Sequence, residues 1–126
     1  MSDIKVINTD KAPAAIGPYS QALAIGDIMF LSGQIPVDPE TGSIPETVEE
    51  QAAQSIENIK NILKENGMTI VNVVKTTVFL SDINDFAAVN SVYGEHFQEP
   101  YPARSCVQVA AIPKGCKVEI ECIAVK

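Results

Sequence analysis

The chain has more strand-like segments than its helices can cover. Only two segments, 47–66 and 86–97, carry apolar residues at helical spacing, whereas five or six short segments are rich in β-branched and apolar residues. Two helices cover only one face of a sheet of that size. Because several predicted strands are apolar on both faces, we expect the other face to pack against another subunit rather than to lie in water.

The two helices differ in how clearly their ends are marked. In the first, Thr47 followed three residues later by Glu50 predicts a capping box, and Asn66-Gly67 predicts the end, because glycine readily takes the left-handed conformation. The second ends before Pro100, and its apolar stripe is Phe86, Val89, Tyr93 and Phe97. Both helices are therefore expected to pack on the sheet.

The strands and helices alternate in a recognisable order. A strand near Val6 precedes a hairpin that turns at Gly26-Asp27, and a strand, the second helix and another strand form a βαβ unit. This order predicts one α+β domain over residues 1–126, with a mixed sheet of about six strands and two helices on one face. The predicted strands after the first are 22–25, 28–32, 73–80, 105–111 and 117–125.

Composition excludes several classes of function. The net charge of −7, without a basic stripe, argues against nucleic acid as a partner. The apolar runs are too short to span a membrane and no secretory signal is visible, so we expect a cytoplasmic protein. One histidine and three cysteines, with no CxxC pair, predict reduced thiols and neither a zinc site nor a histidine-based catalytic triad.

Two charged residues are candidates for catalysis. Arg104 is the only arginine and stands at the start of a predicted strand, where its planar fork would suit a carboxylate, although an exposed surface arginine fits the same pattern. Glu119 alternates with core residues in the last strand and shares its face with Ile123 and Val125, as a general base on a partly apolar wall would. A solvent-facing glutamate predicts the same alternation.

Four further places are candidates for ligand contacts. Asn90 lies on the apolar stripe of the second helix, where its amide needs a partner, either a ligand or a loop carbonyl. Tyr19 stands in a loop stiffened by Pro18, and is otherwise a packed tyrosine. The segment Ser32-Gly33-Gln34 permits close approach to a ligand or forms a plain turn. Cys106 would share a face with Arg104, as a nucleophile or, more commonly, as an inert buried thiol.

Except for Asn90, the candidate residues fall within five sequence blocks that are spread along the chain nearly from end to end: APAAIGPYSQ (12–21), SGQIP (32–36), VKTTVF (74–79), PARSCV (102–107) and VEIE (118–121). In this order the blocks resemble those of the RidA/YjgF family of reactive-intermediate deaminases. The resemblance implies a chorismate-mutase-like α+β fold. It also implies a homotrimer whose sheets line a central barrel, with a cleft at each subunit boundary.

The resemblance also implies an activity and roles for the candidate residues. The activity is hydrolysis of 2-imino acids, such as 2-iminopropanoate and 2-iminobutanoate, to 2-keto acids and ammonia without a cofactor or metal. Arg104 would bind the substrate carboxylate and Glu119 would position the hydrolytic water, while the cleft would be shaped by Tyr19, Ser32, Gly33, Gln34, Asn90 and Cys106. The alternatives are a non-catalytic trimer that binds small carboxylates or regulates a partner, and, against the acidic charge, an endoribonuclease or translation inhibitor.

Overall fold

The sheet order follows from one hairpin-rich half and one βαβ half. The computed structural model describes residues 3–126, and its six strands lie in the order β1-β2-β3-β6-β4-β5. Every neighbouring pair is antiparallel except β4 and β5, which are parallel. The elements are β1 Ile4–Ile7, β2 Ala22–Ile25, β3 Ile28–Gln34, α1 Val48–Glu65, β4 Val73–Leu80, α2 Phe86–His96, β5 Ala103–Gln108 and β6 Val118–Val125. The predicted α+β fold, a mixed six-stranded sheet with two helices, is confirmed.

The first helix begins and ends where the sequence predicts, with one difference at its start. The Thr47 hydroxyl accepts a hydrogen bond from the Glu50 N–H at 3.1 Å. The Glu50 carboxylate, however, accepts from that same hydroxyl at 2.9 Å instead of from the Thr47 N–H, so only half of the predicted capping box forms. At the other end Gly67 takes φ +68° and its N–H donates to the Lys64 carbonyl, which satisfies a terminal helix carbonyl.

Two strands have bounds that differ from the prediction by more than one residue. β5 spans 103–108 rather than 105–111, because its parallel register with β4 ends at the pair Leu80 and Gln108, after which the Val109 N–H makes a last hydrogen bond to the Leu80 carbonyl. β3 continues past the predicted end at Ser32 to Gln34. Between Leu31 and Gln34 its register with β6 shifts, so the extra residues form a bulge that sequence alternation alone does not reveal.

The helices cover one face of the sheet and leave an apolar surface on the other. On β6, Val118, Ile120, Cys122 and Ala124 are buried, as predicted for the core-facing set. On the opposite face, hereafter the open face, large apolar side chains remain uncovered, with Phe30 on β3 47% exposed and Val107 on β5 43% exposed. Exposed apolar surface of this kind is typical of an interface. No helix of residues 3–126 is long and apolar enough to cross a membrane.

Candidate active site

Arg104 lies against the second helix. On β5 it is paired in register with Thr76 of β4, which is fully buried beneath the helices, so Arg104 points to the same covered face. Its guanidinium carbon lies 4.7 Å from the centre of the Tyr93 ring and 5.6 Å from that of Phe86. The cation therefore rests on two aromatic rings of α2, a cation–π arrangement that holds it at the edge of the core.

Cys106 shares this face, as the alternation of β5 predicts. It is half-buried and pairs with Val78 of β4. Burial raises the pKa of the Cys106 thiol, and the charge of Arg104 only partly offsets that effect. A thiol with a raised pKa is a poor nucleophile at neutral pH, so Cys106 is better suited to lining a site than to attacking a substrate.

Asn90 stands near the same rings. It lies four residues after Phe86 and three before Tyr93 on α2, which places it on the side of the helix that carries both rings. The residue is half-buried rather than enclosed in the core. Its amide is therefore partly accessible beside the aromatic seat of Arg104.

Glu119 lies on the opposite face of the sheet. Its register partner on β4 is Phe79, whereas the neighbouring residues Val118 and Ile120 point into the core. Burial raises the pKa of the Glu119 carboxyl, and the like charge of Glu121 raises it further. A half-buried carboxylate with a raised pKa has the properties of a general base or acid tuned towards neutral pH.

The bulge of β3 makes room for the Glu119 carboxylate. A Cβ placed on Gly33 would lie 2.9 Å from the Glu119 carboxyl carbon and 3.1 Å from its Cγ, with one carboxylate oxygen closer still. Only glycine leaves this space open. The segment Ser32-Gly33-Gln34 predicts that another group approaches the backbone closely. In the structure, that group is the Glu119 carboxylate.

Ser32 connects this bulge to the loop that precedes β2. The Ser32 hydroxyl donates to the Ser20 carbonyl at 2.6 Å, and the Ser32 N–H donates to the Gln21 carbonyl. A cleft of about 790 Å³ opens beside the bulge, lined among others by Tyr19, Gly33 and Gln34. Tyr19 is 54% exposed rather than packed, so its ring is available at the rim of the cleft.

Several residues that hold the site together were not singled out from the sequence. The buried Gln21 side chain accepts a hydrogen bond from the Thr9 N–H and donates to the carbonyls of Thr9 and Pro13, which fixes the loop that carries Tyr19. Tyr93, which the sequence assigns to the core stripe, supports Arg104. In the sequence, Gln21 is a polar residue directly before an apolar strand. That pattern is too common to predict that its side chain would hold the loop in place.

The structure thus divides the candidate residues into two groups. Glu119, Ser32, Gly33, Gln34 and Tyr19 lie around the bulge, whereas Arg104, Cys106 and Asn90 lie around the rings of α2. Two strand spacings separate β5 from β6, about 10 Å, and the side chains of Arg104 and Glu119 leave the sheet on opposite faces. Among residues 3–126, no group of three or more His, Cys, Asp or Glu side chains is arranged to hold a metal ion.

Comparison with known proteins assigns the family. A family model described as endoribonuclease L-PSP matches residues 9–126, nearly the whole chain. The chain belongs to this family. This membership confirms the family resemblance indicated by the five sequence blocks.

Individual L-PSP relatives are similar over almost their full length. A 2-iminobutanoate/2-iminopropanoate deaminase from Salmonella typhimurium is 54% identical, with 97% of this chain and 98% of the relative covered. The crystal structure of E. coli TdcF with bound serine is 52% identical, has a TM-score of 0.92 and covers 97% and 98% of the two chains. The structure of the E. coli YjgF gene product is 51% identical, with the same TM-score and coverage.

Proposed function

We propose that this L-PSP family member hydrolyses 2-imino acids, such as 2-iminopropanoate and 2-iminobutanoate, to 2-keto acids and ammonia. The similar Salmonella typhimurium protein is named for that activity, and the TdcF structure holds serine, an amino acid with a carboxylate. Arg104 offers a guanidinium seated on aromatic rings, which suits a carboxylate, and Glu119 offers a half-buried carboxyl with a raised pKa.

The observation that carries the proposal is the position of these two residues on opposite faces of the sheet. A small imino acid does not reach both within one chain, because the β-sheet lies between Arg104 and Glu119. We therefore place the site between two copies, with Arg104, Asn90 and Cys106 from one and Glu119 and the bulge from the other. The open face, with Phe30 and Val107 exposed, is suited to line the central barrel of a chorismate-mutase-like homotrimer.

The proposed chemistry uses only these side chains and water. Arg104 binds the substrate carboxylate with two N–H groups, a charged contact worth roughly 1.5–3 kcal/mol. Glu119 accepts a proton from water as the water oxygen bonds to the imine carbon. Starting from the protonated imine, this step gives a neutral carbinolamine. Glu119 then returns its proton to the carbinolamine nitrogen, and as the hydroxyl loses its proton to water the C–N bond breaks, ammonia leaves and the carbonyl of the keto acid forms. Proton transfer by Glu119 and orientation by Arg104 supply the acceleration.

A coupled assay tests this function. A threonine dehydratase generates 2-iminobutanoate, and the decay of the imine is measured with and without the protein. We expect the parent to accelerate decay and Glu119→Gln to lose about a hundredfold or more, since it keeps the shape but removes the base. Glu65→Gln, the same change at the exposed end of α1, is the matched control and should retain full activity.

The outcomes separate the alternatives. If Glu119→Gln hydrolyses the imine at the parental rate, Glu119 is not the base and this mechanism is wrong. If the parent binds 2-ketobutyrate but never accelerates imine decay, the non-catalytic carboxylate-binding trimer is the better description. RNA cleavage that is lost in Arg104→Ala would instead favour the ribonuclease alternative, which the net charge of −7 opposes.

A further inference from the structure

The two rings beneath Arg104 are not equally fixed. Tyr93 is buried, with 5% of its surface exposed, and its ring centre is 4.7 Å from the guanidinium carbon of Arg104. Phe86 is farther away, at 5.6 Å, and 39% exposed at the start of α2. Tyr93 is therefore the part of this seat that the fold holds in place.

Tyr93 is itself held from two sides. Its hydroxyl forms a 2.7 Å hydrogen bond with that of Thr76, which is fully buried on β4 directly opposite Arg104 in the parallel register. Its ring also stacks on Phe97, with centroids 4.2 Å apart and planes 23° apart. Thr76 on β4 thus anchors the Tyr93 hydroxyl, while the face of the Tyr93 ring supports Arg104 on the neighbouring strand β5.

The charge of Tyr93 matters as well as its position. Burial raises the pKa of Tyr93, an effect only partly offset by the hydrogen bond between Tyr93 and Thr76 and by the charge of Arg104. The hydroxyl therefore stays protonated at neutral pH. A neutral ring supports the guanidinium without neutralising it, so the positive charge remains available to an incoming anion.

We propose that Tyr93 is a positioning residue that fixes the plane of the Arg104 guanidinium and thereby sets the affinity of the site for carboxylates. The carboxylate ligand rests on the proposed function, but the positioning does not. A long arginine side chain loses mobility when it binds a ligand, and a side chain that is already fixed has less mobility to lose. Tyr93 and Thr76 thus restrict the mobility of the Arg104 side chain before the ligand binds.

The first test uses the fact that Arg104 is the only arginine in the chain. Its Nε–Hε group gives a single cross-peak in a ¹H–¹⁵N NMR spectrum of the intact ¹⁵N-labelled protein. In the parent we expect this peak to be displaced by the ring current of Tyr93 from the position of arginine in a peptide. Tyr93→Leu should move it towards the peptide position, whereas Tyr93→Phe, which keeps the ring but loses the hydrogen bond with Thr76, should reduce the displacement without abolishing it.

Phe97→Leu is the matched control, because Phe97 is equally buried and stacks on Tyr93 but is not one of the two rings on which Arg104 rests. It should lower thermal stability much as Tyr93→Leu does but leave the arginine peak displaced. Titration with 2-ketobutyrate is the second readout. We expect Tyr93→Leu to weaken binding about tenfold and Phe97→Leu by less than about twofold.

Thr76→Val provides a second variant if Tyr93→Leu does not fold. It removes the anchor of the Tyr93 hydroxyl but keeps the ring, and should reduce the displacement of the arginine peak. An undisplaced peak in the parent, or a peak unaffected by both Tyr93→Leu and Thr76→Val, would overturn the positioning role. A displaced, Tyr93-dependent peak in a protein that does not hydrolyse imines would instead contradict only the proposed function.

Discussion

Replacing Gly33 with alanine tests whether the bulge of β3 exists to seat the Glu119 carboxylate. The added Cβ would lie 2.9 Å from the Glu119 carboxyl carbon and closer still to one carboxylate oxygen, so the carboxylate must retreat by more than about 0.5 Å to reach ordinary contact at 3.4 Å. The obstacle is the end of a flexible side chain rather than backbone. We therefore expect Glu119 to move while the strand stays in place.

The consequences for stability and for activity differ in size. Forcing a side chain away from its preferred rotamer costs on the order of 1 kcal/mol, and a glycine-to-alanine change at a compatible backbone position returns roughly 0.4–1 kcal/mol. The two effects nearly cancel, so the melting temperature should stay within about 5 °C of the parent value. A catalytic group displaced by about 0.5–1 Å loses much more, and imine hydrolysis should fall by roughly ten- to a hundredfold.

The coupled imine assay and a thermal melt measure both quantities. Gly94→Ala is the matched control, because a Cβ at that position on α2 meets nothing within 4 Å. It should keep full activity and gain slight stability, since alanine favours a helix more than glycine does. If Gly33→Ala keeps full activity, or unfolds, the view that the glycine serves the carboxylate is wrong.

Two further predictions concern assembly and pH. Light scattering should give about three times the chain mass of 13.5 kDa; Phe30→Lys on the open face should reduce it, whereas Val71→Lys, at an exposed residue outside the strands, should not. His96 accepts a 2.8 Å hydrogen bond from the Lys60 ammonium, and burial together with that charge lowers its pKa. Because the unfolded chain binds this proton more readily, the free energy of unfolding should fall as pH drops below about 6.5. His96→Gln should flatten that decline in urea unfolding at pH 7.5 and 5.5, and an unaltered decline would contradict the assignment.

Most of the fold is predictable because its signals are local. The first helix has a cap, a stripe and a terminal glycine within one segment, and the hairpin is marked by Gly26-Asp27, where Gly26 takes φ +57°. The strand boundaries that differ from the prediction are those that a neighbouring strand determines. β5 stops at Gln108 because β4 has no further residue to pair with, and no pattern within β5 itself contains that information.

The candidate site is predictable in its residues but not in their arrangement. The lone Arg104 and the alternating Glu119 both stand out in the sequence, yet the sequence does not give the register that sends them to opposite faces. The contact between Tyr93 and Arg104 is not predictable from the sequence for a related reason. An aromatic ring at helical spacing is indistinguishable from a core residue until the neighbouring strand places a cation on it.

The position of Arg104 and Glu119 on opposite faces has a genetic consequence. If each site draws one of these residues from each of two copies, a cell that makes an Arg104-defective chain and a Glu119-defective chain would still assemble some sites with both native residues. Two inactive alleles of this gene would then complement each other. Two defective alleles of an enzyme whose site lies wholly within one chain would not.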